Sequence, residues 1–478
     1  MKHTHLYPAL LLLLYAAPVY AQKEIEKHWG SPGYDGAFSA AATKDGGYVI
    51  SGLTQSMGNT AGDIIVLKIN SSGDTTWTLQ YGGDKLEGGN NVIQTADGGI
   101  LVSGHTEDFG AHDCDAFLMK LDMNGNRQWF KIYGGEEDDI AEGTVELADG
   151  GFVTAGISAS YGNPIPSDLR HSWFIRTNST GDTLWTRCYG GDKQDYGYSI
   201  ASTAAGGFLA VGYTMSRGQG EQYGWLLRIK DNGDTLWTRT YAAGGDTRFF
   251  QIIPTIDKGF ILAGYTQPLQ GSKALGLIVK TDAAGNELWQ KTFGGENDDI
   301  EFHSVAQLPN GNLMFSGVNH KEEPDGNAYV LITDEYGAKM NEFLFGGAHS
   351  YANSIAVQGN NNYLAVGYSS KWGDPAGDLF YIESSNTGIP LSPENTTQYF
   401  IYPNPVKNKS PIILPSVYAY QNVQLDVTDM TGRLVACHEK VLGKDVVIDR
   451  KGLSAGSYIF RVSCNDGKVF NGKFTVEQ

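Results

Sequence analysis

Short apolar runs separated by glycine-rich polar turns recur along this chain with a period of about 52 residues. A turn of the form Asp-Gly-Gly, or a weaker copy of it, leads into Tyr48, Ile100, Phe152, Phe208, Phe260, Leu313 and Tyr363. A second marker keeps the same spacing at Trp77, Trp129, Trp185, Trp237 and Trp289. Two independent markers that share one period indicate an internal repeat.

Each repeat contains four runs with the composition of β-strands. In the second repeat these runs are 90–95, 100–106, 116–121 and 127–133, and Gly, Asp or Asn residues separate them. The second and third runs of a repeat are almost continuously apolar, which predicts strands covered on both faces. The fourth run alternates aromatic with basic or polar residues, which predicts an outer edge strand.

Four antiparallel strands in each repeat predict one blade of a β-propeller. Six full repeats run from Ala37 to about Phe345, and a seventh supplies only the runs 351–357, 363–369 and 378–383. The missing outer strand is predicted at 24–29. We therefore predict an all-β chain in which residues 22–385 form a seven-bladed propeller closed by an N-terminal strand. An open β-solenoid is the alternative, but it would need caps that the sequence does not contain.

Composition and charge narrow the function classes. The chain has 62 glycines among 478 residues, with 41% hydrophobic and 12% aromatic residues, so collagen and disorder are both excluded. The formal net charge is −18, and no cluster of Lys and Arg offers a nucleic-acid-binding surface.

The first 21 residues have the pattern of a secretory signal peptide. Lys2 precedes an apolar stretch over 9–19, and small residues stand near Ala21. The stretch is shorter than the ~20 apolar residues that cross a bilayer. No later stretch is long and apolar enough to do so, and we expect an exported protein without a membrane span.

The repeat stops after Glu383, and a different region follows. Residues 386–399 contain Pro and Thr residues typical of an extended linker. The stretch 386–478 carries 10 basic and 8 acidic residues, so the negative charge belongs to the propeller. Alternation over 423–427 predicts a small β-sandwich.

Several motifs of the last 80 residues occur in a recognisable order. They are Tyr402-Pro403-Asn404-Pro405, Gly432-Arg433, Gly456 with Tyr458, and Lys473. Residues 400–478 resemble the type A C-terminal sorting domain of the type IX secretion system of Bacteroidetes. The resemblance implies an Ig-like β-sandwich that engages the type IX machinery, crosses the outer membrane and leaves its cargo on the cell surface or released. A structural module without a signal role is the alternative.

Four cysteines occur, and none forms a Cys-x-x-Cys pair. Cys437 and Cys464 lie in two strand-like runs of the C-terminal region. In an oxidising compartment they could form a disulfide if their Cα atoms lie within ~7 Å. We therefore treat this pairing as a prediction.

Acidic residues recur at matched places after the aromatic-Gly-Gly ending of a repeat. Pairs three residues apart are Asp84 and Glu87, Glu136 and Asp139, Asp192 and Asp195, and Glu296 and Asp299. On a ring they could converge on one mouth and bind a hard cation such as Ca²⁺, or supply two carboxylates for glycosidic chemistry. The competing interpretation, which we favour, is that short acidic side chains cap the amides of their own turns.

No catalytic motif of the HExxH, GxSxG or Walker type appears. The leading hypothesis is therefore an exported binding or adhesion module whose ligand is a glycan, a protein or a cation. The rival is a secreted carbohydrate-active enzyme, a hydrolase or lyase, that uses carboxylates at the propeller mouth. The fold alone does not choose between them, because propellers host both kinds of function.

Overall fold

A computed structural model describes residues 19–30, 33–56, 60–110, 114–162, 169–218, 222–241, 245–268, 273–295, 298–321, 326–347, 349–359, 362–371, 377–391, 409–411, 422–429, 433–442, 446–464 and 469–476. All regular structure within these residues is β-strand. The chain divides into two compact units, with a boundary between Thr387 and Gly388. No helix within the described residues is long and apolar enough to cross a membrane.

Seven four-stranded antiparallel sheets in the first unit form the blades of a β-propeller. The first strand, β1 (Val19–Trp29), belongs to the last blade. Blade 1 contains β2 (Asp35–Ala42), β3 (Tyr48–Thr54), β4 (Asp63–Ile69) and β5 (Thr75–Tyr81). Blade 2 contains β6 (Glu87–Gln94), β7 (Ile100–Thr106), β8 (Asp115–Leu121) and β9 (Arg127–Tyr133). Blade 3 contains β10 (Asp139–Glu146), β11 (Phe152–Ser158), β12 (His171–Thr177) and β13 (Thr183–Tyr189).

The later blades repeat this order. Blade 4 contains β14 (Asp195–Ser202), β15 (Phe208–Thr214), β16 (Tyr223–Ile229) and β17 (Thr235–Tyr241). Blade 5 contains β18 (Thr247–Pro254), β19 (Phe260–Thr266), β20 (Leu275–Thr281) and β21 (Glu287–Phe293). Blade 6 contains β22 (Ile300–Gln307), β23 (Leu313–Asn319), β24 (Asn327–Thr333) and β25 (Lys339–Phe345). Blade 7 contains β26 (Ser350–Gln358), β27 (Asn362–Ser369), β28 (Asp378–Leu391) and, outermost, β1.

The N-terminal strand completes the last blade, as the sequence predicts. Strand β1 pairs with β28 at the outer edge of the sheet that continues through β27 and β26. Each innermost strand contacts the innermost strand of the next blade, and β26 of blade 7 contacts β2 of blade 1. The predicted seven-bladed closed ring is therefore confirmed.

Burial along the strands follows the predicted pattern. Every residue of β3 and β4 is buried, because neighbouring blades cover both faces of these middle strands. The outermost strand β5 has no fully buried residue, and all its positions are exposed or half-buried. The apolar core lies between blades, and one cluster joins Ile65 and Leu67 of blade 1 to Leu364 and Val366 of blade 7.

Hydrogen bonds across the innermost strands join successive blades. The fifth residue of an innermost strand accepts, through its side chain, the backbone N–H of the sixth residue in the next blade. Ser39 accepts the N–H of Val92 (3.2 Å), and Ser354 of blade 7 accepts that of Ala40 in blade 1 (3.1 Å). The same bond joins Asn91 to Thr144, Ser199 to Ile252, Gln251 to Val305 and Ser304 to Ile355.

The seventh junction, between blades 3 and 4, replaces this side chain with Gly143. A Cβ atom at Gly143 would lie 2.8 Å from the backbone oxygen of Tyr198, so the two strands approach too closely for a side chain. Six side-chain hydrogen bonds of this kind and one close backbone contact therefore occur at the seven junctions between innermost strands.

The repeated tryptophans connect neighbouring blades at the outer rim of the propeller. Trp77 on β5 donates from Nε1 to the carbonyl of Met123 (3.1 Å) in the β8–β9 turn of the next blade, where Gly125 leaves room for its ring. Trp185 repeats the contact with Asp231. At the closing junction Lys27 of β1 donates to the carbonyl of Gly73 (2.5 Å) in blade 1.

The Asp-Gly-Gly turns carry a second role that their sequence did not reveal. A buried cation on the third strand of the blade reaches back to the turn aspartate, as Lys68 does to Asp45 (2.9 Å) and Lys120 to Asp97 (3.1 Å). Arg176 with Asp149 and Lys280 with Asp257 repeat the pair. Partial burial opposes ionisation of Asp97, but hydrogen bonds from Thr95, Gly99 and Lys120 outweigh it and lower its pKa to about 2.

The second unit is a small β-sandwich. Its strands are β29 (Lys409–Pro411), β30 (Asn422–Asp429), β31 (Leu434–Leu442), β32 (Val447–Asp449), β33 (Gly456–Cys464) and β34 (Val469–Val476). One sheet has the order β31-β30-β33-β34, and β29 pairs with β32. Val446 and Ile448 pack against Leu425 and Phe460 of the larger sheet, so a single apolar core joins the two sheets.

The strand order bears on the predicted disulfide. Cys437 of β31 lies opposite Asp426, and Cys464 of β33 lies opposite Val423, on the two sides of β30. Two strand spacings, about 9–10 Å, and three residues along β30, about 10 Å, separate them, which is beyond the ~7 Å that a disulfide spans. In this register a Cys437–Cys464 bond would require the strands to move.

We expect four reactive thiols per chain when the purified protein is unfolded without reductant and titrated with a thiol reagent, because the register keeps Cys437 and Cys464 apart. The Cys437→Ser variant should then titrate one thiol fewer. Two thiols in the wild-type protein would contradict the register drawn here, and the Cys437→Ser variant would then titrate three, because Cys464 would be released from the disulfide.

We expect Asp97→Asn to lower the free energy of unfolding by about 1–2 kcal/mol at neutral pH, because Lys120 stays buried without its carboxylate. The folded-state pKa of Asp97 lies below its unfolded value near 3.9, so the contribution is complete above pH ~5 and is lost as the pH falls towards 2. Urea unfolding at pH 7, 5 and 3 measures the difference, which should shrink at pH 3. Asp84→Asn, at an exposed position in the turn before the same blade, is the matched control; a difference for Asp97→Asn that stays constant with pH would refute the pairing.

Candidate functional site

The predicted acidic pairs separate into exposed and buried members. Asp84, Glu136 and Asp192 are exposed in the turns that precede the innermost strands. Glu87, Asp139 and Asp195 are the first residues of β6, β10 and β14 and have no exposed surface. The two members of a pair therefore lie in different environments.

The buried members accept hydrogen bonds from the backbone of the turns that precede them. Glu87 accepts the backbone N–H of Gly83 (3.0 Å), and Asp139 accepts that of Gly135 (2.8 Å). Asp195 accepts the N–H of Gly191 (2.9 Å) and the hydroxyl of Ser216 (2.5 Å). Burial raises the pKa of Glu87 and of Asp139. These contacts support the interpretation that the acids cap turns.

The fourth predicted pair departs from the other three. Asp299 stands one position before the start of β22, and its Oδ1 accepts the N–H of Ala274 (2.9 Å). Glu296 lies outside the described residues. Within the residues that the structure describes, no group of three or more His, Cys, Asp or Glu side chains is arranged to hold a metal ion. Calcium binding by these acids remains a prediction.

A different set of residues surrounds the axis of the ring. In every blade the fourth residue of the innermost strand interrupts the pairing with the second strand as a β-bulge; in blade 3 the unpaired stretch extends to Gly143. Such bulges redirect a side chain, and they are frequent next to binding sites. The seven bulge residues are Phe38, Asn90, Glu142, Tyr198, Phe250, His303 and Asn353.

Aromatic rings form a continuous row around half of this axis, from blade 4 to the start of blade 1. Tyr198 lies 5.3 Å from Phe250, and Phe250 lies 5.3 Å from His303, measured between ring centroids. We call this row the aromatic crescent. Its members are Tyr34, Tyr196, Tyr198, Tyr213, Phe250, Tyr265, His303, Tyr351 and Tyr368. Most of these rings are half-buried, so they leave surface for a ligand.

Blades 1 and 2 present smaller residues at the level of the crescent. The second residues of their innermost strands are Gly36 and Gly88, where blades 4 and 7 have Tyr196 and Tyr351. A Cβ atom at Gly36 would lie 2.5 Å from the Tyr34 hydroxyl, so this glycine makes room for the last ring of the crescent. The innermost strands thus carry most of their aromatic rings in blades 4 to 7, whereas blades 1 and 2 combine glycines with Phe38 and Asn90.

Charged groups stand among the rings in blades 5 and 6. The guanidinium carbon of Arg248 lies 4.8 Å from the ring centroid of Tyr213. Glu301 lies beside His303, with 3.7 Å between Oε2 and Nε2. Burial opposes ionisation of Glu301, but His303, His320 and Arg248 outweigh it and lower its pKa.

One further carboxyl group belongs to the bulge residues. Glu142 stands among protein groups in blade 3, and burial raises its pKa to about 7. The axis of the ring therefore has two carboxyl groups whose environments push their pKa values in opposite directions: Glu142 upward and Glu301 downward. Such divergence is a common property of acid and base pairs in enzymes.

Sequence reasoning missed the crescent for an identifiable reason. The first-strand runs were recognised, but the bulge that turns the fourth residue towards the axis has no signature of its own. The usable signal was the comparison of repeats at fixed positions: the second and fourth residues vary from Gly to Tyr, whereas the third is small or aromatic and always buried. Positions whose residue type varies while the surrounding strand pattern stays constant indicate a binding site.

The residues predicted to carry the sorting signal are partly described. Tyr458 is buried, donates its hydroxyl to the Ser454 carbonyl (2.8 Å) and stacks on Phe474. Arg433 pairs with Asp429 (3.0 Å). Gly456 begins β33, and Lys473 pairs with Ile459 in the sheet. Tyr402, Pro403, Asn404, Pro405 and Gly432 lie outside the described residues.

Residues 400–477 match the family model of the secretion system C-terminal sorting domain. The chain therefore carries a type IX sorting domain and is exported by type IX secretion to the cell surface or beyond it. This match covers the second unit only. No curated protein sequence matches the chain.

Solved structures with propeller architecture are similar to the chain at low identity. A puromycin hydrolase mutant complexed with PGG is 13% identical, with a TM-score of 0.50, over 93% of this chain and 62% of that one. A protein of unknown function from Dyadobacter fermentans is 14% identical, with a TM-score of 0.45, over 77% and 99%. The extracellular domain of BT4673 from B. thetaiotaomicron is 10% identical, with a TM-score of 0.42, over 94% and 58%. The chain thus spans less than two thirds of the first and third of these proteins, and the likeness concerns the fold.

We expect Asp195→Ala to lower the free energy of unfolding by about 2–3 kcal/mol, because the Gly191 amide and the hydroxyls of Thr214 and Ser216 lose their acceptor. Asp192→Ala, three residues earlier and exposed, should change it by less than about 0.5 kcal/mol. Chemical denaturation with and without Ca²⁺ measures both. Equal effects of the two substitutions, or stabilisation by Ca²⁺ that either one abolishes, would favour a shared cation site instead of turn caps.

Proposed function

We propose that this exported propeller is a glycan-binding protein whose ligand rests on the aromatic crescent at the axis of the ring. The single observation that carries the proposal is the unbroken row of half-buried rings contributed by four successive blades and Tyr34. Sugar rings have apolar faces edged by hydroxyl groups, and flat aromatic surfaces with nearby polar groups suit both features.

Polar groups beside the crescent support the same ligand class. Arg248, Glu301 and His303 stand among the rings, and the amide side chains of Asn90 and Asn353 occupy bulge positions in blades 2 and 7. Binding pockets for small polar ligands commonly combine an aromatic wall with a few oriented hydrogen-bonding groups. A protein ligand would be expected to use a broader surface, and a cation would need clustered oxygen ligands.

Delivery outside the cell fits this role. Type IX export places the propeller where extracellular polysaccharides occur, and the chain's net charge of −18 disfavours nucleic acid as a ligand. The sorting domain supplies transport, and the propeller supplies recognition.

A carbohydrate-active enzyme is the second candidate, because Glu142 and Glu301 on the innermost strands of blades 3 and 6 offer a carboxylic acid and a carboxylate. The pKa of Glu142 is raised to about 7, whereas that of Glu301 is lowered. A carboxylic acid that stays protonated near neutral pH can donate a proton to a leaving oxygen, while an ionised partner activates water or stabilises a cationic transition state.

We expect the full-length protein to bind members of a polysaccharide panel in affinity electrophoresis, and Phe250→Ala to weaken that binding about tenfold. Phe250 lies at the middle of the crescent and contacts rings of three other members, so its loss removes stacking surface. Tyr336→Ala, which removes an exposed ring from the β24–β25 turn, is the matched control and should bind as the wild type does.

The same samples are assayed for reducing ends and for absorbance near 235 nm, which reports an unsaturated sugar. Binding without products supports the binding role. Products that disappear in Glu142→Gln or Glu301→Gln establish the enzyme instead. Failure to bind every polysaccharide, or equal binding by wild type and Phe250→Ala, overturns the crescent as a glycan site.

A further inference from the structure

The crescent holds one cation in an unusual setting. Arg248 is the second residue of β18, and its Nε donates to Oε1 of Gln222. Its guanidinium lies 4.8 Å from the ring centroid of Tyr213 and 5.9 Å from that of Tyr265. One hydrogen bond and two ring faces therefore fix the plane of the guanidinium, which reduces the entropy that a ligand contact would cost.

The two terminal nitrogens of Arg248 are free to bind a ligand. Among the described residues, no hydrogen bond joins Nη1 or Nη2 to a protein acceptor, and no carboxylate lies within 4.0 Å of the guanidinium. Asp246, the nearest acid in sequence, accepts the N–H of Gln222 (3.1 Å), and Glu301 of the next blade lies beside His303. By contrast, Arg170 at the same end of blade 3 is paired with Asp138 (2.5 Å).

We propose that Arg248 makes the crescent selective for acidic glycans, by binding the carboxylate of a uronic acid residue through Nη1 and Nη2. This inference rests on the proposed glycan-binding function and names its ligand class. A guanidinium presents parallel N–H donors that match the two oxygens of a carboxylate, and such charge-assisted pairs are among the stronger hydrogen bonds. The rings of Tyr213 and Tyr265 are buried beneath the guanidinium, so the sugar would rest on half-buried neighbours such as Tyr196 and Phe250 and present its carboxylate to the fork.

The net charge of the protein also bears on how an acidic glycan would bind. The net charge of −18 opposes the general adsorption of polyanions, and this repulsion is screened beyond ~8 Å at physiological salt. A preference for a carboxylated polymer therefore requires a local cationic contact. Adsorption to a diffuse basic surface does not explain it.

The test compares polymers that differ only in their carboxylates. Polygalacturonate is paired with its methyl ester, and alginate with its propylene glycol ester, in affinity electrophoresis and calorimetry with the full-length protein. The wild type should bind at least one free acid about tenfold more tightly than its ester. Arg248→Gln should remove that preference while retaining the weaker binding of the ester, and Arg248→Lys should retain part of it.

Arg239→Gln is the matched control. Arg239 also lies over an aromatic ring, that of Trp237 at 4.2 Å, but on the outermost strand of blade 4. Its loss should leave the preference for the acid unchanged. Thermal unfolding of each variant shows whether the fold is intact, and the retained binding of the ester by Arg248→Gln shows that the crescent is still formed.

The outcomes separate the two proposals. Equal binding of acid and ester by the wild type overturns the selectivity of Arg248 and leaves glycan binding standing. An acid preference that survives Arg248→Gln also overturns the assignment. Binding of neither form of either polymer contradicts the acidic ligand class, while binding of neutral members of the panel in the same assay preserves the glycan-binding function.

Discussion

The hydrogen bonds between innermost strands are the constraint on which the propeller depends. A flat four-stranded blade is apolar on both faces and is stable only when neighbours cover it. The side chains of Ser39 and Ser354 each reach the backbone of the next blade, and the bond from Ser354 to Ala40 joins residues 314 positions apart. These bonds set the distance between neighbouring blades close to the axis. The tryptophan contacts join the same blades at the outer rim.

Because these bonds fix the innermost strands, the residues of the candidate site can differ between blades without destabilising the fold. In an innermost strand, the first residue caps the preceding turn and the third residue is buried in the core. The fifth residue binds the backbone of the next blade. The second residue is released from these tasks, and so is the fourth except where Asn90 and Asn353 donate to the backbone of the next blade. Blade 2 can therefore have Gly88 and Asn90 where blade 4 has Tyr196 and Tyr198, at the same backbone geometry.

Much of the architecture could be predicted because the same pattern occurs seven times, so each repeat checks the interpretation of the others. Seven turn markers and one incomplete repeat predicted both the blade count and the closing strand β1. The site could not be predicted in the same way. Acids such as Glu87 and Asp195 recur because each turn needs a buried acceptor, and recurrence alone does not distinguish a cap from a ligand. The pair of Lys120 with Asp97 also went unnoticed, since its partners stand 23 residues apart on different strands.

The closing strand β1 has a consequence for how the molecule is made. Its partner β28 is the last element of the propeller to leave the ribosome, so blade 7 stays incomplete until nearly the whole domain has been synthesised. Contacts this distant in sequence form slowly. A chain that ends early keeps the flanks of blades 1 and 6 uncovered, with apolar surface open to chaperones and proteases. Closure of the ring therefore requires the whole propeller segment, from β1 to β28.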